Sequence, residues 1–371
     1  MLKPTTEQDL ADVITTAQSP LSIRGGGTRG MLTEGEALTT SGLSGITLYE
    51  PGALTIVAKA GTPVAEIEAT LAAENQMLAF EPMDYRPLLG TEGEPTIGGA
   101  VASNTSGPRR VQAGACRDFL LGVRFVDGTG SIVKNGGRVM KNVTGYDLAR
   151  LMCGARGTLG VLSEVSLKVL PKPEATATLL FEGLGHTATQ AVLTRAMQSP
   201  FDVTGAARLP AGSTGERGVA LLRLEGFEGS VRYRSKALAE WLNYNEGTSR
   251  LVTDPTENEK LWKTVRDVTP FADREGDIWY LSIKPTDFLS LSRIDQEDKL
   301  VDWACGRVWV CVPPGTDMRL NMQDVSGHAT LVRGSSETPR FQPEAEPLAK
   351  LAAGLRQKFD PRGILNPGLM G

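Results

Sequence analysis

Three short segments carry most of the chemistry legible in this sequence. Arg24-Gly25-Gly26-Gly27-Thr28-Arg29-Gly30 is the first, Thr96-Ile97-Gly98-Gly99-Ala100-Val101-Ala102-Ser103-Asn104 the second, and Gly157-Thr158-Leu159-Gly160-Val161-Leu162 the third. Glycine lets main chain approach a ligand closely, and successive backbone N–H groups in a concave loop cradle phosphate and carbonyl oxygens. One such loop alone is equally a tight turn. Three in one stretch point to backbone packed along an extended ligand. Gly25, Gly27 and Gly30 also satisfy G-x-G-x-x-G, with Glu50 following. That fingerprint must open a helix whose N-terminus faces a pyrophosphate. Here the chain continues Met31-Leu32-Thr33-Glu34-Gly35-Glu36 without amphipathic period, which argues against a Rossmann site. No G-K-[ST] follows, so the loop is not a P-loop either.

Outside the glycine segments few residues are equipped for catalysis. Arg109 and Arg110 follow Gly107-Pro108, and an arginine fork suits a carboxylate or a phosphate. A solvated surface pair is the equal alternative. There are only two histidines, His186 and His328. His328, in Gly327-His328-Ala329-Thr330 just before an expected short strand, is a base or a hydrogen-bonded structural residue. Cys116, Cys153, Cys305 and Cys311 form no C-x-x-C pair and fit no zinc or iron–sulfur spacing, so no metal site is expected.

The elements that must position these residues read as α+β in both halves. Thr5 and Gln8 fit a capping box ahead of Leu10, Val13, Ile14 and Ala17 at helical spacing. Strands are expected at Leu21 to Ile23 and Leu54 to Lys59, with Thr62 capping a helix whose first residue is Pro63. Asp127-Gly128-Thr129-Gly130 joins Phe119–Val126 to Ser131–Val133 as a hairpin, and Val161 to Val169 alternates as a strand. Further strands are expected at Val219–Leu224, Ile278–Ile283 and Arg307–Val312, and helices at Ser230–Tyr244, Pro255–Val268 and Glu344–Phe359.

Glycine is unevenly spread: 24 of 42 lie in the first 175 residues, whereas all five tryptophans lie beyond residue 240. Pro171-Lys172-Pro173 is a stiff break between these halves, and a domain boundary is placed there. The formal net charge of −4, with no basic stripe, argues against nucleic-acid binding. No apolar run approaches the ~20 residues of a transmembrane helix. The first residues show no apolar signal core, and a cytoplasmic location is expected.

In order, R-G-G-G-T, T-I-G-G-A-V-A-S-N, V-M-K-N-V-T-G-Y-D-L (Val139 to Leu148) and G-T-L-G-V-L resemble the flavin domain of the vanillyl-alcohol oxidase or PCMH group. The closing Phe359-Asp360-Pro361-Arg362-Gly363-Ile364-Leu365-Asn366-Pro367-Gly368 is similar to that group's final segment, which returns to the flavin. Leu261-Trp262, Val265-Arg266, Pro270-Phe271, Ile278-Trp279-Tyr280-Leu281-Ser282, Asp302-Trp303 and Gly327-His328-Ala329-Thr330 resemble the E-subunit family of bacterial glycolate oxidases. With Gly107-Pro108-Arg109-Arg110 and Met140-Lys141-Asn142, that likeness spans nearly the whole chain.

The resemblance implies a PCMH-type FAD-binding domain over residues 1–173. A smaller α+β cap domain over 174–371 would bind substrate or partners, with 344–371 packing back on the flavin domain. It implies non-covalent FAD, since relatives that tether the flavin often place histidine where Thr28 stands. It implies glycolate-to-glyoxylate chemistry beside a larger flavin subunit and an iron–sulfur subunit, with any membrane attachment peripheral and through those partners. By resemblance the pyrophosphate would lie against Arg24, Gly25, Gly26, Gly27 and Thr28, with Thr96, Gly98, Gly99, Ala102 and Ser103 opposite. Gly157, Thr158, Gly160 and Val161 would run beside the flavin, and Asn366 would close the site. Lys141, Tyr146 and Asp147 match the family motif as a structural cluster, Tyr146 doubling as a site wall. Related catalytic subunits carry a G-D-G-N-x-H segment with several histidines, which this chain lacks. That departure favours an accessory flavoprotein over an autonomous 2-hydroxy-acid dehydrogenase using His328 and Arg109 or Arg110. A scaffold that keeps the flavin fold without turnover is the third reading.

Overall fold

A computed structural model describes residues 1–138, 145–243, 249–334 and 338–370. Met140-Lys141-Asn142 lies outside the described residues, as does Tyr244 at the end of an expected helix. The chain divides into two compact units. Unit 1 comprises Met1–Ser106, Gly114–Lys172 and Pro343–Gly371, and unit 2 comprises Gly107–Ala113 and Pro173–Gln342.

Unit 1 contains β1 (Leu21–Arg24), β2 (Glu36–Thr39), β3 (Ile46–Glu50), β4 (Thr55–Lys59), β5 (Gln76–Met77), β6 (Leu120–Val126), β7 (Ile132–Gly136), β8 (Val161–Lys168) and β9 (Leu170–Pro171). An antiparallel sheet runs in the order β3-β4-β8-β6-β7, while β1 and β2 pair in parallel. The first helix, Glu7–Thr16, turns Leu10, Ala11 and Ile14 inward, onto Leu21, Leu38, Val126 and Val161. Its cap is Thr6 with Asp9, one register on from the Thr5–Gln8 box expected, and Asp9 also accepts from Thr5 Oγ1. Helix Val64–Ala72 has Pro63 as its N-cap rather than its first residue, and Thr62 does not cap it. The Thr62 hydroxyl instead donates to the Lys59 carbonyl at 2.7 Å and accepts from Gly45 N–H. The C-terminal segment closes the unit: Ile364 and Leu365 enter the core, Leu365 bridges Leu21, and Leu21 N–H donates to the Ile364 carbonyl at 2.8 Å.

Unit 2 contains β10 (Ala175–Glu182), β11 (Gly205–Leu209), β12 (Val219–Gly226), β13 (Ser249–Val252), β14 (Asp277–Ile283), β15 (Lys299–Asp302), β16 (Arg307–Val312) and β17 (Gly327–Arg333). They form one antiparallel sheet in the order β13-β10-β12-β11-β15-β16-β14-β17. Alternation along each strand sends one set of side chains, including Leu179, Leu222, Trp279, Leu281, Val308 and Leu331, into an apolar core. Helices His186–Met197 and Glu228–Leu242 add Val192, Leu193 and Leu238 to it. His328 lies within β17 rather than ahead of it. The Cβ position of Gly327 is filled by the Ser282 carbonyl at 2.1 Å, so the glycine permits close strand pairing.

Candidate functional site

The three glycine segments meet in unit 1 around one open cavity. The first segment leaves β1 as a loop pinned from below: Thr39 Oγ1 donates to the Gly25 carbonyl at 2.7 Å, and Thr91 Oγ1 to the Thr28 carbonyl at 2.8 Å. A side chain at Gly26 would place Cβ 1.7 Å from the Glu94 carbonyl, and one at Gly25 would meet Thr96 Oγ1 at 2.2 Å. At Gly26 backbone passes backbone, and at Gly25 it passes the Thr96 side chain, with no room for a Cβ at either. Gly27 is different: it has φ +77° and open space where Cβ would point. Its glycine serves the left-handed turn.

The second segment is not the loop its small residues suggested. It is a helix, Ile97–Ala102, capped by Thr96, whose Oγ1 accepts from Gly99 N–H at 3.3 Å. Ile97, Gly98, Ala100 and Val101 are buried, and the Gly98 Cβ position lies 2.6 Å from Ala60 Cβ. Small residues let this short helix seat just beyond the end of β4. In the third segment Gly157 (φ +76°) passes Asn366 Nδ2, and Gly160 passes the Phe125 ring. Asn366 itself binds three parts of the unit. Its Oδ1 accepts from Ile23 N–H at 2.7 Å and Thr33 Oγ1 at 3.1 Å, and its Nδ2 donates to the Arg156 carbonyl at 2.9 Å.

Arg24, Gly25, Gly26, Gly27, Thr28, Gly98, Gly99, Ala102, Ser103, Gly157, Gly160, Val161 and Asn366 all line the cavity. Thr96 and Thr158 stand behind it, the latter donating to the Ala155 carbonyl at 2.7 Å. The sequence reading missed Arg29, Met31, Leu32, Met152, Arg156 and Leu369, which also line it. Only Arg29 carried a signal, being a second cation inside the glycine motif. Its Nε is buried with no hydrogen-bond partner, Nη2 reaches Thr105 Oγ1 only at 3.5 Å, and the guanidinium lies over the Tyr85 ring. Desolvation lowers its pKa, yet an arginine stays charged. Arg24 Nε is likewise buried without a partner. Glycine backbone on several sides and two buried cationic edges suit an elongated, anionic cofactor; the residues fit FAD. Tyr146, expected as a wall, is largely exposed and does not line the cavity.

The remaining sequence candidates lie in unit 2. Arg109 is buried, with Nη2 ion-paired to Glu225, which also accepts from Thr204 Oγ1. Arg110 stacks over the Trp303 ring, 4.3 Å from its centroid. His328 meets Tyr280 edge-on at 6.4 Å, and desolvation first, then the Arg110 charge, holds its pKa below the ordinary histidine value. Among the described residues no group of three or more His, Cys, Asp or Glu side chains is placed to hold a metal, and no helix is long and apolar enough to cross a membrane.

Comparison with known proteins agrees with this geometry. Residues 1–136 match the family model described as FAD binding domain. Glycolate oxidase subunit GlcE of Escherichia coli (strain K12) is 35% identical over 358 residues, covering 95% of this chain and 93% of that protein. Glycolate oxidase subunit GlcD of Bacillus subtilis (strain 168) is 45% identical over 85 residues, 23% of this chain and 18% of that one. In solved structures, alkyldihydroxyacetonephosphate synthase superposes with a TM-score of 0.72 at 14% identity, covering 99% of this chain and 75% of that one, a likeness of fold.

Proposed function

This chain belongs to the GlcE family of glycolate oxidase subunits, FAD-linked oxidoreductases of the PCMH fold, and from that premise we propose that it is a flavin-bearing component of a complex that oxidises glycolate to glyoxylate. The reading includes a larger flavin subunit and an iron–sulfur subunit that takes the electrons. The observation that carries it is the glycine-lined cavity of unit 1, closed by Asn366 and bearing the buried guanidinium edges of Arg24 and Arg29. In this reading residues 1–173 hold the cofactor, helped by the segment 344–371, and residues 174–343 serve substrate or partner.

Bound FAD supplies hydride acceptance at the flavin N5. The protein's part is to hold it by Arg24, Gly25, Gly26, Gly27, Thr28, Gly98, Gly99, Ala102, Ser103, Gly157, Gly160, Val161 and Asn366, with Thr96 and Thr158 buttressing from behind. Attachment is non-covalent: no histidine stands in unit 1, and Cys116 and Cys153 are buried and do not line the cavity. On the substrate side, a His328 whose pKa is lowered is neutral at pH 7, as a proton acceptor must be. Arg109, ion-paired to Glu225, and Arg110, stacked on Trp303, are the carboxylate contacts of this reading.

The test is spectroscopic. Purified chain should be yellow, and acid precipitation should leave FAD in the supernatant. Alone it should reduce little dye with glycolate; co-expressed with its two partners it should support turnover that vanishes when this chain is omitted. A chain that stays colourless with added FAD, in the presence of its partners, overturns the cofactor assignment. Robust turnover by the chain alone overturns the accessory role.

A further inference from the structure

The C-terminal helix of unit 1, Glu346–Phe359, buries none of its residues fully. It is held by one edge, where Ala352, Arg356 and Phe359 are half-buried. Beside that edge Leu348, Leu351 and Leu355 stand 58%, 67% and 38% exposed. Spacings of three and four set them in a single stripe along two turns. Ala352 and Leu355 also line a groove with Leu151 and Leu159, so the stripe adjoins a second apolar wall. Single exposed leucines are ordinary on a protein surface. Three on one line are not, because a helix of this length is marginal in water until its apolar face is covered.

Charge identifies the cover. On the opposite side of the helix Glu346 and Lys350 pair with each other at 2.8 Å. Glu344 and Lys358, both exposed, have no ion-pair partner among the described residues. Glu344 borders the groove seven residues before Leu351, and Lys358 lies on the leucine line seven residues after it. The face is therefore acidic at one end, basic at the other and apolar between, which makes it complementary to itself reversed. In a parallel pair Glu344 would meet Glu344 and Lys358 would meet Lys358. In an antiparallel pair crossing at Leu351, Leu348 meets Leu355 of the second copy and Glu344 meets Lys358, each contact made twice by symmetry.

We propose that the stripe is the interface of a homodimer: two copies of the chain pair their C-terminal helices antiparallel about a two-fold axis at Leu351, with Glu344 of each copy against Lys358 of the other. The helix has 14 residues and is about 21 Å long by about 10 Å across. Such a face falls short of the ~800 Å² per partner of a standard interface, so the pair forms at micromolar rather than nanomolar concentration. An assembled complex then carries an even number of copies of this chain. Every residue invoked lies in unit 1, and the inference rests neither on the cofactor nor on the substrate.

Sedimentation equilibrium of the full chain with FAD added, from about 1 to about 100 μM, reads the average mass directly. It should climb from the 39.6 kDa of one chain toward twice that value. Leu351→Glu sets two carboxylates at the crossing and should stay monomeric throughout, with melting temperature and FAD content unchanged because the side chain is exposed. Lys358→Glu and Glu344→Lys should each weaken pairing several-fold by setting like charges together. The double variant should pair as wild type, a restoration that a merely structural role would not produce. Wild-type chain that stays monomeric at the highest concentration overturns the proposal, as does a Leu351→Glu chain that still dimerises. A double variant no better than either single one overturns the antiparallel arrangement. If Leu351→Cys reacts with a maleimide at every concentration of the free chain and is shielded only in the assembled complex, a partner subunit covers the stripe and self-pairing is overturned.

Discussion

The cavity of unit 1 and the His328 site proposed in unit 2 are built from opposite materials. The first is made largely of main chain, and at Gly26 a Cβ would strike backbone. The second is made of side chains, with Arg110, Tyr280 and His328 contributed by three separate stretches. A backbone site tolerates little change at its glycines and much at its exposed side chains. A side-chain site is the reverse. Each variant below is chosen to break that contrast or to sharpen it.

The largest effect should come from Gly26→Leu. The Cβ would stand 1.7 Å from the Glu94 carbonyl, so the loop must move. FAD occupancy should be lost, while tryptophan fluorescence, which reports only unit 2, keeps its native spectrum. Retained FAD in this variant would mean that the loop does not form the cradle. Next is Leu365→Ala, which empties a buried position in the core that ties the C-terminal segment to β1. Large-to-small core changes cost about 2–5 kcal/mol, and thermal melting followed by flavin release should show it. Third is Arg29→Gln, a side-chain contribution within the backbone site. Losing a charged hydrogen-bond donor costs about 1.5–3 kcal/mol, so FAD and ADP should bind at least tenfold more weakly and riboflavin, which has no phosphate, about as before. Equal losses for all three ligands would place Arg29 in a structural role.

This contrast also explains what could be read in advance. Glycine motifs leave a linear trace, so the lining from Arg24 to Thr28 and the Gly157, Gly160 and Val161 positions were legible, as were the strands at Arg307–Val312 and Val161–Lys168. The helix Ile97–Ala102 was not, because two glycines weaken helix propensity and only tertiary contacts, such as the seat of Gly98 on Ala60, explain them. The division of Arg109 from Arg110 was equally hidden. Adjacent in sequence, one guanidinium is held by Glu225, 116 residues away, and the other is stacked on Trp303. Nor does any sequence pattern announce that Ser282 stands between Arg307 and His328. Register is a property of paired strands, not of one.

The smallest effect is the one that distinguishes the units by pH. In unit 2 the buried Lys299 ammonium donates to His186 Nε2 at 2.9 Å and to the Leu291 and Ile294 carbonyls at 3.0 and 2.6 Å. All three of its protons are used, and His186 must be neutral with its proton on Nδ1. Desolvation first, then the Lys299 charge, lowers the His186 pKa from 6.5 to about 4. Desolvation first, then Arg208, lowers that of Lys299 from 10.5 to about 8. Between pH 6.5 and 4 the unfolded chain therefore binds more protons at His186 than the folded one, so stability falls as pH falls through that window. Lys299 acts with the same sign between about 8 and 10.5, where stability rises with pH. Half of His186 is solvated, so the acid limb should be shallow. Tryptophan-detected melting of unit 2 should nonetheless drop from pH 7 to pH 4.5, and His186→Gln, which keeps an acceptor without a titrating ring, should flatten the drop. An unchanged acid limb in that variant would assign it to carboxylates elsewhere in unit 2 and leave the His186–Lys299 pair a packing contact.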